Sequence, residues 1–279
     1  MSKRNSPEAK RAARERLRAE RERQAKREKI RRQLIVGSSV VAILAIAAGI
    51  GIVVAGMDEG GDNTDWDAVR AQLDGEASED AESYPTDAPS GASGDDGLTV
   101  VVGDESAEHT LSLYEDARCP ACAAFEQSMG ENVRQGIEDG AYQAEYVFAT
   151  FIDDNMGGTG SKNALNALGA ALDVSDEAFL DFHDALYTLE NHPAETDDAF
   201  ADDERLIEIA QDVDGLKNNE DFDNAVRNDK FAVWALQMSD KFNGTEGVES
   251  TPTLMWDGEI IETPQTPEDF DAFVEESTK

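Results

Sequence analysis

The sequence predicts an α/β fold in which a β-α-β half and a β-β-α half are separated by a helical insertion, the whole preceded by one transmembrane helix. Three observations carry this. Residues 34–57 form a 24-residue run without a charged side chain. Short segments rich in β-branched and aromatic residues flank a stretch, about 157–244, whose apolar residues recur at helical spacing. The only two cysteines stand three apart, between an expected strand and an expected helix start. No disulfide framework is available, so packing must hold the fold together.

The 279 residues carry 24 Lys and Arg against 60 Asp and Glu, a formal charge of −36, and the two signs are segregated. Residues 1–33 hold 14 basic and five acidic side chains, whereas residues 58–279 hold ten basic and 55 acidic ones. A polyanion of that strength repels phosphate backbones, which excludes nucleic acid as a partner of the large part. The tail 1–33 is rich in strong helix formers, and Glu15, Glu20 and Glu22 have Arg neighbours at helical spacing. With no aromatic residue beside the charge, its role is a cytoplasmic topology signal lying against anionic lipid head groups.

Leu34–Met57 forms the next element. As a helix it is roughly 36 Å long, enough to cross a hydrocarbon core of about 30 Å with some tilt. A cleaved signal peptide is the alternative, and Val53-Val54-Ala55 offers small residues for cleavage, but the apolar run exceeds a signal core of about 7–15 residues. No cysteine lies near it to take a lipid anchor. Lys29, Arg31 and Arg32 precede the span, while Asp58 and Glu59 follow it. Basic flanks stay cytoplasmic, so the expectation is a single-pass protein of the cell membrane with residues 58–279 outside.

Residues 58–97, with 13 acids, one Arg and a Gly/Ser/Pro-rich end, are expected to form an acidic disordered linker, interrupted at most by a helical turn near Trp66–Leu73. Residues 98–279 then make the folded domain. Leu98–Val102 and Thr110–Tyr114 have strand composition. Ala123–Ile137 reads as a helix starting just after the cysteines, and Ala144–Ile152 as the next strand. In the insertion, Leu165, Leu168 and Leu172 share one helix face, as do Phe179, Phe182, Leu186 and Leu189. Phe231, Trp234, Met238 and Phe242 repeat the spacing, and such stripes are core packing. Thr253–Trp256 and Glu259–Ile261 flank Asp257-Gly258, a type I′ hairpin signal. Thr266 caps a last helix with Pro267 in its first position and Glu268 and Asp269 in its first turn.

Arg118-Cys119-Pro120-Ala121-Cys122 carries the chemistry. At a helix N-terminus Cys119 meets the positive end of the helix dipole and free N–H groups, which favour a thiolate. Cys122, one turn on, is near enough to close a disulfide and is shielded by the helix. Cys119 is therefore the exchanging sulfur and Cys122 the resolving one. Pro120 suits the first turn, where no N–H bond is lost. A zinc site would draw on His109, His183 and His192, none of which shows paired ligand spacing, so no metal and no cofactor is expected. An inert structural disulfide over so short a loop is strained, and free thiols outside a membrane would be oxidised. No twelve-residue calcium loop accompanies acidic runs such as Asp202-Asp203-Glu204. A redox-active dithiol is what remains.

Asp116 to Cys122, the segment Phe182-His183-Asp184-Ala185-Leu186, and Val248 to Leu254 with its Ser250-Thr251-Pro252-Thr253 together resemble a bacterial, membrane-anchored, DsbA-like thiol-disulfide oxidoreductase of the thioredoxin superfamily. The resemblance covers residues 98–276. It implies that Pro252 is cis and faces Cys119, that Pro120, Ala121, Thr251 and Pro252 support the two cysteines, and that the Thr251 backbone binds a substrate peptide in β-like pairing. One departure matters. The buried acid that thioredoxin-like enzymes often carry six residues before the first cysteine is here Leu113. Either Glu115 or Asp116 stands in through water, or Cys122 deprotonates slowly. His183 and His192 could do acid–base work, but their patterns place them on an insertion helix and in a loop.

The function this implies is extracytoplasmic thiol-disulfide exchange, oxidising cysteines of exported proteins, with a membrane partner such as a quinone-linked oxidase restoring the disulfide. Arg118 and the helix dipole push toward an oxidant, whereas Glu115, Asp116, Glu126 and the acidic surface oppose it, and Ala121 replaces the histidine of the strongest oxidants. A reductase or isomerase fed by a membrane electron donor is the alternative within the enzyme class. A redox-inert acidic adaptor is the alternative outside it.

Overall fold

The computed structural model describes residues 64–78, 81 and 83–279. The basic tail 1–33, the apolar run 34–57 and the first residues of the expected linker lie outside them. Among the described residues no helix is long and apolar enough to cross a membrane.

Among the described residues six strands form one sheet in the order β1-β2-β4-β3-β5-β6, numbered along the chain: β1 is Ala92–Ser93, β2 Thr99–Val102, β3 Thr110–Glu115, β4 Gln143–Phe148, β5 Thr253–Trp256 and β6 Glu259–Ile261. Only β3 and β4 run parallel, with Leu113 opposite Tyr146, as their helical crossover requires. β5 runs antiparallel to β3, with Leu254 opposite Leu113 and Thr253 opposite Tyr114. That register decides where the chemistry goes. The chain leaving β3 toward Cys119 and the chain entering β5 from Pro252 meet at the same end of the sheet.

Helix α2, Pro120–Glu138, makes the crossover and turns Cys122, Phe125, Met129, Val133 and Ile137 inward at spacings of three and four. It lies against α5 (Asp176–Tyr187) of the insertion and against the final helix α9 (Pro267–Ser277). The insertion further comprises α4 (Gly160–Val174), α6 (Asp203–Ala210), α7 (Glu220–Arg227) and α8 (Ala232–Gly244), with α3 (Phe151–Met156) before them. Leu165, Leu168 and Leu172 of α4 and Phe231, Trp234, Met238 and Phe242 along α8 are all buried. Gly169 lets these helices close up: a Cβ there would stand 3.0 Å from Phe231 and Trp234. The hairpin turn has φ of 50° at Asp257 and 82° at Gly258, the left-handed pair its sequence requires. The Thr266 side chain accepts a hydrogen bond from Asp269 N–H, capping α9.

Four expectations need correction. The expected disordered linker is ordered over more of its described length than the helical turn allowed for near Trp66–Leu73, with that turn present as a packed helix and Ala92–Ser93 joining the sheet. Asp65 caps α1, Trp66–Leu73, whose Trp66 and Val69 are buried and which rests on α8. Arg70 pairs with Asp240 at 2.7 Å, and the Gln72 side chain exchanges two hydrogen bonds with the backbone of the buried Tyr84. A mean composition dominated by acids concealed a few apolar residues that are buried.

Second, the helix expected from Ala123 begins at Pro120, so Cys122 lies within it. Third, the strand expected to reach Ile152 stops at Phe148. Ile152 N–H donates to the buried Asp116 carboxylate, and Asp153 receives Ser161 N–H, Lys162 N–H and Arg118, so side-chain partners turn Phe151–Met156 into a helix despite the β-rich composition. The insertion accordingly starts near 151 rather than 157. Fourth, Leu189 is 88% exposed, because α5 ends at Tyr187.

Candidate active site

Cys119 occupies the N-cap position of α2 in extended conformation, and Cys122 sits in the first turn. Both are free thiols. Cys119 is 6% exposed and Cys122 fully buried, so only the first sulfur reaches the surface. Exposed Pro120 and Ala121 form the rim beside it.

Opposite lies the loop before β5. The Thr251–Pro252 peptide is cis, as the resemblance implied, and the Thr251 carbonyl oxygen is 3.6 Å from Cys119 Sγ. Thr251 and Pro252 are half-buried. The structure thus brings together Cys119, Cys122, Pro120, Ala121, Thr251 and Pro252. Beneath them, Cys119, Cys122, Ala123, Ile152 and Tyr187 pack as one small apolar cluster.

The two thiols are driven apart in acidity. Hydrogen bonding from the Cys122 thiol, and then from Thr251 and the N–H groups of Cys122 and Ala121, outweighs burial and lowers Cys119 to about 6. Burial, the Cys119 sulfur and the negative charge of Glu115 push Cys122 well above its ordinary value. At neutral pH Cys119 is the thiolate and Cys122 the thiol, the division of labour that exchange needs.

Arg118 does not act as expected. It is buried, and its guanidinium reaches Asp153 at 2.6 Å and Asp198 at 2.8 Å, with further bonds to the carbonyls of Gly157 and Glu195. Its charge is committed to the insertion rather than to Cys119. Next to it Asp116 is also buried and accepts from Arg118 N–H, Ile152 N–H and the Ser161 hydroxyl. Burial raises its carboxyl to about 7 against those hydrogen bonds. The active-site loop is therefore clamped to α3 and α4 by Asp116 and by the pairing of Arg118 with Asp153.

His183 lies on an insertion helix as expected, but its position behind the cysteines was not foreseen. It is buried, with Nε2 2.7 Å from Glu115 Oε2. Burial would lower its pKa, but Glu115, Asp184 and Glu126 raise it well above the ordinary value. The sequence signal was available in hindsight, in a His among aromatic core positions and a Glu ending a buried strand. Nothing local shows that the two meet. His192, in the loop after α5, stacks on Tyr187 at 5.7 Å, and burial lowers its pKa. His109 pairs with Asp257 at 2.8 Å beside Trp256, on the hairpin after β5.

Residues 95–276 match the family model described as thioredoxin. The chain resembles the serine/threonine-protein kinase PknE of Mycobacterium tuberculosis, 26% identical over 180 residues that make up 60% of this chain and 30% of that one. It thus spans about 30% of the length of the relatives it matches. Among solved structures, the reduced disulfide bond oxidoreductase DsbG of Mycobacterium tuberculosis superposes with a TM-score of 0.56 at 28% identity, covering 64% of this chain and 86% of that one. Reduced DsbA from the same organism gives 0.55 at 28% identity, covering 64% and 91%.

Proposed function

The chain is a DsbA-like member of the thioredoxin family, and on that footing we propose that it exchanges thiols and disulfides through Cys119 and Cys122, chiefly oxidising cysteine pairs in exported proteins. One observation carries this: a thiolate-prone Cys119, at about 6, at a helix N-cap beside the Thr251–Pro252 loop. A substrate thiolate attacks Cys119 Sγ of the oxidised form, and Cys122 departs with the electron pair and takes up a proton. A second substrate thiolate then attacks the first substrate sulfur and releases the Cys119 thiolate. Two substrate thiols become a disulfide and the enzyme disulfide becomes a dithiol, balanced in electrons. The Thr251 backbone, beside Cys119, offers the peptide a place to pair. A membrane partner such as a quinone-linked oxidase returns the enzyme to the disulfide.

A thiolate that is stabilised only in the reduced form makes the disulfide an oxidant. Ala121 puts no positive charge over the sulfur, and this favours the second reading, a weaker oxidant working as reductase or isomerase. The direct test mixes the oxidised full chain with a reduced, unfolded cysteine-containing protein. Stoichiometric transfer of the disulfide is expected, and Cys119→Ala should abolish it. Failure to transfer while a small dithiol reduces the enzyme disulfide readily would favour the second reading.

The uncharged run 34–57 and its basic flank support a single membrane anchor with the domain outside and the tail against anionic lipid. An exported reporter joined after Lys279 should be active. Activity only from a cytoplasmic reporter would overturn the placement.

A further inference from the structure

Glu115, Glu126 and His183 come from the end of β3 and from the helices α2 and α5, and their ligand atoms all lie within 4.8 Å of one another. Glu115 and His183 are each 1% exposed, with His183 Nε2 2.7 Å from Glu115 Oε2. The other Glu115 oxygen, Oε1, has no hydrogen-bond partner among the described residues, and neither do Glu126 Oε1 and the Tyr187 hydroxyl. Tyr187 is equally buried, and its ring lies 5.0 Å from that of His183. Burial, and then the charge of Glu115, push its hydroxyl well above the ordinary value. Three buried oxygens without partners around one imidazole leave a polar gap that calls for an occupant. Among the described residues no Lys or Arg is paired with Glu115 or Glu126. Arg134, which borders the region, is taken up by Asp181 at 2.8 Å and Asp184 at 3.0 Å.

The donor set selects the occupant. One imidazole nitrogen with two carboxylates suits a zinc-type ion, whereas calcium and magnesium favour oxygen alone. Two carboxylates and a neutral imidazole also cancel the charge of a divalent ion, which lets it sit among the rings of Tyr146, Phe148 and Phe179 that surround His183. Ligands about 2.1 Å from a tetrahedral ion lie roughly 3.4 Å apart, so the Nε2–Oε2 contact has to open by only about 0.7 Å. An outer shell is in place as well. His183 Nδ1 lies 3.5 Å from Asp184 Oδ1, and Arg134 holds the other Asp184 oxygen. A carboxylate behind the imidazole in this way fixes the orientation of a ligating ring. Glu126 and Tyr187 also line a groove of about 570 Å³ between α2 and α5, which provides a way in for the ion and room for a water.

We propose that Glu115, Glu126 and His183 form a binding site for a zinc-type divalent ion, with His183 Nε2 and one oxygen of each carboxylate as ligands and a water from the groove completing the set. Neither cysteine belongs to this set, so the site stands apart from the dithiol and from the exchange function. The ion joins the end of β3 to α2 and to α5, and thereby fastens the insertion to the sheet. No ligand spacing in the sequence announces the site, because its three residues come from three separate elements. The expectation that His183 takes part in no metal site is revised accordingly.

Zinc itself is the probe. The oxidised full chain, whose two sulfurs are closed in a disulfide and cannot bind metal, is stripped with a chelator and titrated with zinc against a competing dye. Excess calcium is present throughout to occupy the acidic surface. One zinc per chain should bind at micromolar affinity or tighter, and the unfolding midpoint should rise with zinc concentration. His183→Gln and Glu115→Gln should each weaken binding at least tenfold, and Asp184→Asn about tenfold through the lost outer contact. Glu131→Gln, which removes an exposed acid on the same groove, should stay within twofold of the wild type. Where the buried variants do not fold, Asp184→Asn decides, because Asp184 is 40% exposed. Zinc held only at millimolar concentration, displaced by calcium, or bound by Asp184→Asn as tightly as by the wild type would overturn the site.

Discussion

Cys119 and Cys122 are chemically distinct because one caps a helix and the other lies inside it. Alkylation of the reduced chain should modify Cys119 first, with a rate midpoint near pH 6, and Cys122→Ala should accumulate mixed disulfides. Faster labelling of Cys122 would reverse the roles. The same shift is a stability statement. The folded Cys119 thiol sits at about 6, below the roughly 8.5 of an unfolded thiol, so the reduced fold is stabilised fully only above the unfolded value and loses this as pH falls through the folded one. At about 1.4 kcal/mol per unit this is on the order of 3 kcal/mol in alkali, roughly half that at neutrality and nothing in acid. Asp116 works the other way, since a folded carboxyl at about 7 penalises the fold as pH rises through that value. It is present in both redox forms, so below the unfolded thiol value of roughly 8.5 the difference in stability between reduced and oxidised chain should follow Cys119; above it Cys122, raised well above its ordinary value and free only in the reduced form, offsets the gain. Denaturant titrations of both forms should show a reduced-form advantage growing from pH 5 to 8, and a flat difference would contradict the assignment. Arg118 provides a contrast. Arg118→Met strips a buried partner from Asp153 and should cost about 3–5 kcal/mol of stability, yet leave the Cys119 midpoint where it was. A midpoint raised by a full unit would show that the guanidinium does reach the sulfur.

At the scale of elements, local signals located the chemistry well. Asp257-Gly258 and Thr266-Pro267 announce a turn and a cap through residues whose conformational demands are strong, and each lies where those demands put it. The cysteine spacing and the Thr251-Pro252 step likewise marked the two halves of the site. What stayed hidden depends on pairings distant in sequence. Strand composition at Ala149–Ile152 yields to the hydrogen bond that Ile152 N–H donates to Asp116 and to the Asp153–Arg118 pair, which no window of sequence contains. His183 meets Glu115 across 68 residues. Acid-rich composition misrepresents residues 64–97 because Trp66, Val69 and Tyr84 are too sparse to alter the mean, yet all three are buried. Trp66→Ala should therefore cost about 3–5 kcal/mol, as for a large core side chain. A shift within 0.5 kcal/mol, as at a surface site, would return the segment to the status of a tether.

The whole molecule combines a strongly acidic folded part, an uncharged run and a basic tail in one chain of net charge −36. The acidic surface favours solubility and repels polyanions, whereas the proposed exchange chemistry lies in a shielded patch where Cys119 answers to its own hydrogen bonds. Direction is the property that only the working system displays. In the proposed function it turns on the thiolate at Cys119 and on whichever partner resets the disulfide. The most direct measurement is the redox state of Cys119 and Cys122 in intact cells, fixed by acid quench and read by a mass-adding thiol reagent, with and without a pulse of external dithiol. An oxidising exchanger predicts a mainly disulfide chain that is reduced by the pulse and returns to the disulfide within minutes of its removal. A chain held as the dithiol before the pulse, or one whose disulfide never responds to it, would contradict that account.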